Sequence, residues 1–295
     1  MTQNFRGALL MTICMGAFVL NDAFVRLAGS SLPLAQILFI RGILTTIILL
    51  AFAIFSGAFK LVISKADKWR IFFRSIAEAL TSYFFLTAVI NMPFANVTAI
   101  LQILPMTVTL AAAVVFKEKV GKIRISLILF GFFGVMLIIN PTADGFNMYA
   151  IYALIAVFLI TLRDLITRKL SSEVPSILPT VSASVGVLVF SIFLLINTPF
   201  QPLNTQNSLF ILLAAFFIIF GYYTAVLVMR SGEISFIAPF RYSAILFALI
   251  LGLIFFDEKP DLIAFLGIVI VMLAGIILMI RNSTVQKKII EKTNI

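Results

Sequence analysis

The feature that most constrains this chain is a series of ten long apolar segments, separated by short gaps that hold most of its charges. Each segment has roughly the 20 residues that a helix needs to cross a bilayer. Because 62% of the 295 residues are apolar and 12% are charged, lipid must be the solvent for most of the surface. We therefore predict an all-α integral membrane protein without a folded domain outside the bilayer. The predicted transmembrane helices are 7–28, 33–56, 69–90, 93–116, 123–140, 147–168, 175–197, 208–229, 233–256 and 262–280.

The residue types that the chain lacks exclude several kinds of site. There is no His, so a His-based zinc site, a Ser–His triad and an imidazole proton relay are excluded. Cys14 is the only cysteine, so we expect no internal disulfide and interpret its thiol as a small helix-packing group. No P-loop motif is present, and ATP hydrolysis is therefore unsupported. We predict no metal site and no cofactor.

The basic residues predict the orientation in the membrane. A net charge of +10 would indicate nucleic-acid binding in a soluble protein, but here the basic residues lie mainly in the gaps between spans, a pattern that reports topology. Sixteen Lys and Arg fall on one side of the predicted membrane, and the loops of the other side hold only Lys259. We therefore predict that both termini and the 60–70 loop are cytoplasmic, that the 197–207 loop faces the opposite compartment, and that the protein lies in the inner membrane.

An internal repeat relates the two halves of the chain. At an offset of 142 residues NDAFVRLAGSSLP lies over RDLITRKLSSEVP, and at an offset of 140 VVFKEK lies over IFFDEK. Each half contains five spans, and an odd number forces the second half to enter the membrane upside down. We therefore predict two inverted five-helix repeats, residues 1–142 and 143–282, with a substrate site near the midplane between them. A basic cytoplasmic tail, 283–295, follows.

Two segments carry a resemblance to a known family. AILQILPMTVTLAAAVVFKEK, with Pro105 at its middle and Glu118 near its end, and APFRYSAILFALILGLIFFDEKP resemble the fourth helix of each repeat in the drug/metabolite transporter superfamily, in its ten-helix EamA-type form. The APFRY segment and the Asn21–Asp22 pair further resemble the branch that includes S-adenosylmethionine uptake carriers. The resemblance covers essentially the whole chain. It implies a transporter whose cavity is lined mainly by helices one, three, four, six, eight and nine.

Two arginines at membrane depth are candidates for binding an anionic group of the substrate. Arg41 and Arg241 each lie eight residues into their spans, about 12 Å from the nearer surface at 1.5 Å per residue. An ionisable side chain at that depth costs on the order of 3 kcal/mol, and the planar guanidinium suits a carboxylate or a phosphate. The alternative is that each arginine ties two helices together through a carboxylate or through carbonyls.

The third span carries Arg74 and Glu78 four residues apart, so both share one helix face and can pair. Glu78 lies near the predicted centre of the bilayer, where a carboxylate could exchange a proton at neutral pH and so couple transport to a proton gradient. A permanent salt bridge that holds the helix in place is the alternative.

The same four-residue spacing joins Asp22 to Arg26 and Asp164 to Arg168, toward opposite membrane faces. Salt bridges near the two mouths of a cavity, formed in one state and broken in the other, would act as gates for alternating access. The alternative, that both arginines only anchor helix ends to headgroups, does not explain the aspartates. Arg163 adds a cation beside Asp164 where the first half has a neutral residue, so the halves differ chemically.

Polar and aromatic side chains offer further contacts for a substrate. Pro105 frees a backbone carbonyl close to Gln102 and bends the helix. Tyrosines could stack a purine ring or face a sulfonium or ammonium group, but they could also anchor span ends or fill the core. The candidates for substrate binding are Arg241, Tyr242, Arg41, Gln102, Tyr83, Tyr223 and Asn21, and those for coupling or gating are Glu78, Arg74, Asp22, Arg163 and Asp164.

These features predict a secondary active transporter that moves a small zwitterionic or anionic metabolite by alternating access, with proton coupling or solute exchange. The substrate is expected to be amino-acid-like, with S-adenosylmethionine as one candidate. Two alternatives stay open: a membrane enzyme acting on a lipid or an isoprenoid, for which DEKPD at 257–261 is the one acidic cluster, and a passive channel. The expected partners are the substrate and the lipid bilayer, without nucleic acid, in a monomer or a homodimer.

Overall fold

The computed structural model of the protein describes residues 3–60, 63–115, 121–139, 147–171, 173–229 and 238–293. These residues are almost entirely helical and contain no β-strand. Glu118 and Lys119, at the repeated helix end, lie outside the described residues. The α-helices are α1 Gln3–Gly29, α2 Leu34–Phe55, α3 Lys65–Asn91, α4 Phe94–Leu101, α5 Leu104–Val115, α6 Lys122–Ile139, α7 Met148–Arg168, α8 Ile177–Leu195, α9 Thr205–Met229, α10 Ser243–Phe256 and α11 Leu262–Thr293.

The helices confirm the predicted all-α membrane architecture. Seven helical segments of the described residues are long and apolar enough to cross a bilayer, one of them, Phe94–Ala111, made of α4 and most of α5. Three shorter apolar helices, Ile125–Ile139, Phe240–Phe256 and Leu262–Leu278, account for the remaining spans. Large apolar side chains cover the outer surface, where Phe55 is 90% and Leu262 is 75% exposed. A surface of this kind is stable in contact with lipid. The chain is therefore a multi-pass membrane protein.

Pro105 explains why the fourth predicted span consists of two helices, α4 and α5. Proline has no N–H to donate to the carbonyl four residues earlier, and α4 ends shortly before it. In the interruption the Gln102 N–H donates to the Ala99 carbonyl at 3.0 Å, a tighter i to i−3 bond. The second half has a related irregularity, since the 3₁₀ helix Ala238–Tyr242 directly precedes α10.

The helices group into two compact units, and each unit takes segments from both halves of the chain. The first unit contains Met1–Val19, Met92–Ala150 and Phe220–Ile295. The second unit contains Leu20–Asn91 and Ile151–Ile219. The polar residues predicted to lie in a site are therefore divided between the two units.

Small residues let the helices of the first unit approach closely. A Cβ added to Gly134 on α6 would lie 2.9 Å from the Gly267 carbonyl oxygen on α11, and such positions in membrane helices bring two backbones together. Cys14 packs α1 against α9 in the same way, because its buried thiol donates to the Gly221 carbonyl at 3.4 Å. The thiol therefore has the packing role that the sequence predicts.

In the second unit, α8 packs against both α2 and α3. Gly42 on α2 lies against the Leu188 side chain, and Gly186 on α8 lies against the backbone of Ser75 on α3. A short turn after α1, closed by the Leu32 N–H and the Ala28 carbonyl at 3.0 Å, returns the chain into α2. This arrangement gathers the charged parts of α1, α2, α3 and α7 in one unit.

The last helix is longer than predicted. The apolar part, Leu262–Leu278, agrees with the predicted span 262–280, but α11 continues to Thr293. The following residues, RNSTVQKKIIEKT, contain no Gly or Pro that would end a helix. The basic tail is therefore mostly a helical extension of the last span.

Candidate functional site

Asn21 lies at the centre of a polar cluster formed by α1 and α2 in the second unit. Arg41 donates through Nη1 to Asn21 Oδ1 at 2.8 Å, and Asn21 Nδ2 donates to Asp22 Oδ1 at 2.8 Å. Asn21 and Arg41 are both buried. One amide side chain carries an acceptor and two donors, so Asn21 links a buried cation to a carboxylate. We call Asn21, Asp22 and Arg41 the Asn21 cluster.

A second polar cluster in the same unit joins α3 to α7. Arg163 Nη1 lies 2.9 Å from Glu78 Oε2, while Arg163 Nη2 lies 2.9 Å from Asp164 Oδ1. The Glu78 side chain is only 12% exposed. One guanidinium therefore binds two carboxylates, which its planar set of donors allows. We call Glu78, Arg163 and Asp164 the Arg163 cluster.

Arg74 and Glu78 do not form the predicted direct ion pair, although Arg74 is close enough to interact with that carboxylate electrostatically. Arg74 donates instead from Nε to the Thr167 hydroxyl at 3.0 Å and from Nη1 to the Pro179 carbonyl at 2.8 Å. The four-residue spacing permits the pair on an isolated helix. In the folded unit, however, α7 supplies Arg163 to that carboxylate, and neutral acceptors from α7 and α8 bind Arg74.

Each of the two aspartates predicted to form gates accepts a hydrogen bond from the residue directly before it in the chain. Asp22 accepts from Asn21, and its pair with Arg26 stays a prediction. Asp164 accepts from Arg163, and the side chain of Arg168 lies outside the described residues. In each half, then, the residue directly before the aspartate donates to it, a neutral amide in the first half and a guanidinium in the second.

Two buried threonines, which sequence reasoning missed, lie one helical turn from the clusters. Thr45 follows Arg41 by four residues and Thr81 follows Glu78 by three, so each lies on the same helix face as a charged side chain. Within the part of the chain that the structure describes, neither hydroxyl has a hydrogen-bond partner. Buried hydroxyls normally have one, which makes both threonines candidates for contacts with a substrate. Their spacing from the charged residues is the signal that could have identified them.

The first unit holds the other predicted polar site, at the interruption between α4 and α5. The Tyr242 hydroxyl donates to the Gln102 backbone carbonyl at 3.4 Å, and both residues are buried. A Cβ on Gly275 of α11 would overlap that hydroxyl, so the tyrosine fills a space between helices. Arg241 is partly exposed and lies directly before Tyr242 at the start of α10.

Tyr83 and Tyr223, which the 140-residue offset of the repeat brings together, lie in different surroundings. Tyr83 packs edge-on against Phe84 and Phe190, with ring centroids 5.4 and 6.1 Å apart. Tyr223 is 57% exposed on α9. This packing favours a structural role for Tyr83, whereas Tyr223 remains accessible.

The acidic segment 257–261 caps helices. Glu258 accepts from the Phe94 N–H at the start of α4 at 2.6 Å, and Asp261 accepts from the Ala264 N–H near the start of α11 at 2.6 Å. Carboxylates at these positions satisfy backbone donors that have no partner within the helix. Among the described residues, no group of three or more Cys, Asp or Glu side chains could hold a metal ion.

Comparisons with known proteins agree with this architecture. A model of the EamA-like transporter family matches residues 5–140 and, a second time, residues 147–281. Similar proteins include a pseudopaline exporter of Pseudomonas aeruginosa, 23% identical over 279 residues, which are 92% of this chain and 95% of that protein. An S-adenosylmethionine uptake transporter of Rickettsia conorii is 24% identical over 85% of each chain.

Two further similarities are more limited, because one covers only part of the sequence and the other concerns the fold alone. A riboflavin transporter of Vibrio cholerae is 29% identical over 184 residues, 60% of this chain and 59% of that protein. A solved crystal structure superposes with a TM-score of 0.60 and 14% identity, covering 91% of this chain and 95% of that chain. At that identity the likeness shows the fold alone.

Proposed function

The chain belongs to the EamA-like transporter family, and we propose that it is a secondary active transporter that moves a small zwitterionic or anionic metabolite by alternating access. The family and the named relatives are transporters, so the chain is a transporter and not an enzyme. The acidic segment that would have served a membrane enzyme caps helices instead.

The position of Asp22 is the main support for the proposed substrate class. Its carboxylate lies seven residues before the end of α1, about 10 Å from that end, and it accepts from the neutral amide of Asn21. A carboxylate at membrane depth is costly unless a proton or a cation accompanies it. Arg41, on the other side of Asn21, offsets only part of that charge. In this proposal a proton or the cationic group of a zwitterion neutralises the rest, and Arg41 attracts an anionic group.

The Arg163 cluster is suited to act as a gate. Glu78 belongs to α3 whereas Arg163 and Asp164 belong to α7, so relative movement of the two helices changes which carboxylate the guanidinium binds. Two such arrangements would give two states a few kcal/mol apart. Because Glu78 already has an ion-pair partner, Asp22 is the first candidate for carrying the coupling proton and Glu78 is the second.

Arg241 is the proposed binding residue for an anionic group in the first unit. It lies in the 3₁₀ turn before α10, next to the N–H groups and the positive dipole end of a half-helix. Ser243, the first residue of α10, has a buried hydroxyl with no partner among the described residues. Discontinuous helices of transporters commonly present such ends to anionic substrate groups.

S-adenosylmethionine is the first compound to test. One relative is named for its uptake and another for export of pseudopaline, so the names support an organic metabolite and leave the direction of transport open. S-adenosylmethionine carries an amino-acid group and a sulfonium cation. It therefore has both charges that the Asn21 cluster could bind.

Counterflow in proteoliposomes tests the proposal. Vesicles loaded with unlabelled S-adenosylmethionine, or with an amino acid, should accumulate a trace of the same labelled compound faster than empty vesicles, since exchange accelerates a carrier but not a channel. Asp22→Asn should lose this accumulation, and Asp67→Asn, at the start of α3 and outside both clusters, should keep it. If no zwitterionic or anionic compound shows counterflow, the substrate class is wrong. If Asp22→Asn transports like the wild type, the role of Asp22 is wrong.

The proposed arrangement in the cell follows the charge pattern. Residues 1–142 and 143–282 form inverted repeats in the inner membrane, with both termini cytoplasmic, as the basic residues predict. The double match of the family model supports two repeats. A monomer or a homodimer would suit this arrangement.

A further inference from the structure

Helices α3 and α8 of the second unit enclose an apolar groove that the proposed transport mechanism does not use. The groove has a volume of about 440 Å³. Its walls include Phe72 and Ile76 on α3 and Val189 and Phe193 on α8, all of which are exposed at the rim. We call it the α3–α8 groove.

The floor of the α3–α8 groove lies where the two helices touch. The Ser75 and Ser182 hydroxyls are 2.7 Å apart, and Ser75 Oγ also donates to the Ile71 carbonyl at 2.9 Å. A Cβ on Gly186 would lie 3.1 Å from the Ser75 carbonyl oxygen, so the backbones meet closely here. Because the hydroxyls of the floor have partners inside the protein, the groove presents apolar surface to an occupant.

The length and the lining of the groove suit a hydrocarbon chain. Along α8 the groove extends from Ser182 to Phe193, about 16 Å at 1.5 Å per residue. The rim is exposed on the outer surface of a membrane-spanning unit, where acyl chains are the available apolar occupants.

Two lysines lie at the end of the groove face. Successive residues of an α-helix are rotated by about 100° around its axis. On α3, Lys65, Lys68 and Trp69 therefore lie within about 60° of the mean direction of the groove residues, on the same face of the helix. Both lysines are exposed, and the nearby carboxylate of Asp67 is 2.8 Å from Arg70. A pair of ammonium groups beside an interfacial tryptophan suits the phosphate of an anionic lipid.

We propose that the α3–α8 groove binds one acyl chain of an anionic phospholipid whose phosphate is held by Lys65 and Lys68. The site is separate from the proposed substrate contacts. A bound lipid supports the contact of α8 with α3, the helix that carries Glu78, and so makes the stability of the second unit depend on the lipid composition of the membrane.

Native mass spectrometry of the purified full-length protein tests the headgroup part of the site. The probes are dioleoylphosphatidylglycerol and dioleoylphosphatidylcholine, which share their acyl chains and differ in headgroup charge. The wild type should bind the anionic lipid more tightly. Lys65→Gln combined with Lys68→Gln should weaken phosphatidylglycerol binding on the order of tenfold or more and remove the preference. Lys122→Gln, which changes an exposed lysine at the start of α6, should leave it unchanged.

A tryptophan at the rim tests the acyl-chain part. Val189→Trp should fill the groove and weaken the binding of both lipids. Leu212→Trp on α9 is the control and should leave lipid binding unchanged. The two positions are 46% and 53% exposed, so neither change disturbs the core. The proposal is overturned if Val189→Trp binds phosphatidylglycerol like the wild type, or if the double lysine variant keeps the preference. The proposal is also overturned if Val189→Trp binds lipid like the wild type but no longer forms a dimer, because the groove would then contact a second copy of the chain.

Discussion

Removing Arg163 should destabilise the protein more than removing Glu78, its partner. Arg163 lies 2.9 Å from both Glu78 and Asp164, and its side chain is 22% exposed. Arg163→Gln leaves two carboxylates without this cation, and breaking a buried ion pair by removing one partner costs about 3–5 kcal/mol. Glu78→Gln leaves Arg163 bound to Asp164, and the amide oxygen can still accept, so the loss is that of a charge-assisted bond, about 1.5–3 kcal/mol. We expect a difference of about 2 kcal/mol.

Reversible unfolding of the purified variants in detergent measures this difference. Arg70→Gln is the matched control, because it breaks an ion pair of similar length, 2.8 Å to Asp67, whose arginine side chain is 39% exposed. An exposed pair contributes little, so this control should unfold nearly like the wild type. A double variant of Glu78 and Arg163 should be less destabilised than the sum of the single changes, since each removes the same bond.

The expected difference in stability requires that the Arg163 guanidinium bind both Glu78 and Asp164. If Arg163→Gln and Glu78→Gln are equally stable, Asp164 does not bind Arg163 in the membrane. If the two single losses add up in the double variant, the ion pair between α3 and α7 does not form. In either case the proposed gate loses its structural support.

Three further predictions concern function and topology. Glu78→Gln should keep the acid stimulation of proteoliposome uptake, because the coupling proton is assigned to Asp22 and a neutral amide at position 78 leaves that carboxyl in place; loss of the stimulation in this variant would return the coupling role to Glu78. Arg241→Lys should bind the substrate weakly and Arg241→Ala hardly at all in calorimetry, since a charge-assisted bond contributes roughly 1.5–3 kcal/mol, or about ten- to a hundredfold in affinity. Normal binding by a correctly inserted alanine variant would identify a structural tie. In a Cys14→Ser protein, Ala66→Cys should react with an impermeant thiol reagent only after cells are opened, and labelling of intact cells would reverse the predicted orientation.

The positions of the spans follow from the sequence because hydropathy and helix length are local properties. The prediction of 147–168 agrees closely with α7, Met148–Arg168. Pro105 also has a local effect, since the missing N–H interrupts the helix wherever the rest of the chain lies. The predicted span 262–280 agrees with the apolar part of the last helix, Leu262–Leu278. The helix itself continues to Thr293, because charge marks where lipid contact ends and a helix continues until a residue breaks it.

The sequence alone also identified the polar residues that need a partner within the membrane, because their cost depends on depth and not on the neighbours. Only the tertiary structure decided who those partners are. Spacing along one helix proposed Arg74 for Glu78, but the cation that binds it is Arg163, 85 residues away. A four-residue spacing can only compare residues on the same helix. Packing between helices determines which faces meet, and therefore which charges come within bonding distance, as when α7 brings Arg163 to Glu78 on α3.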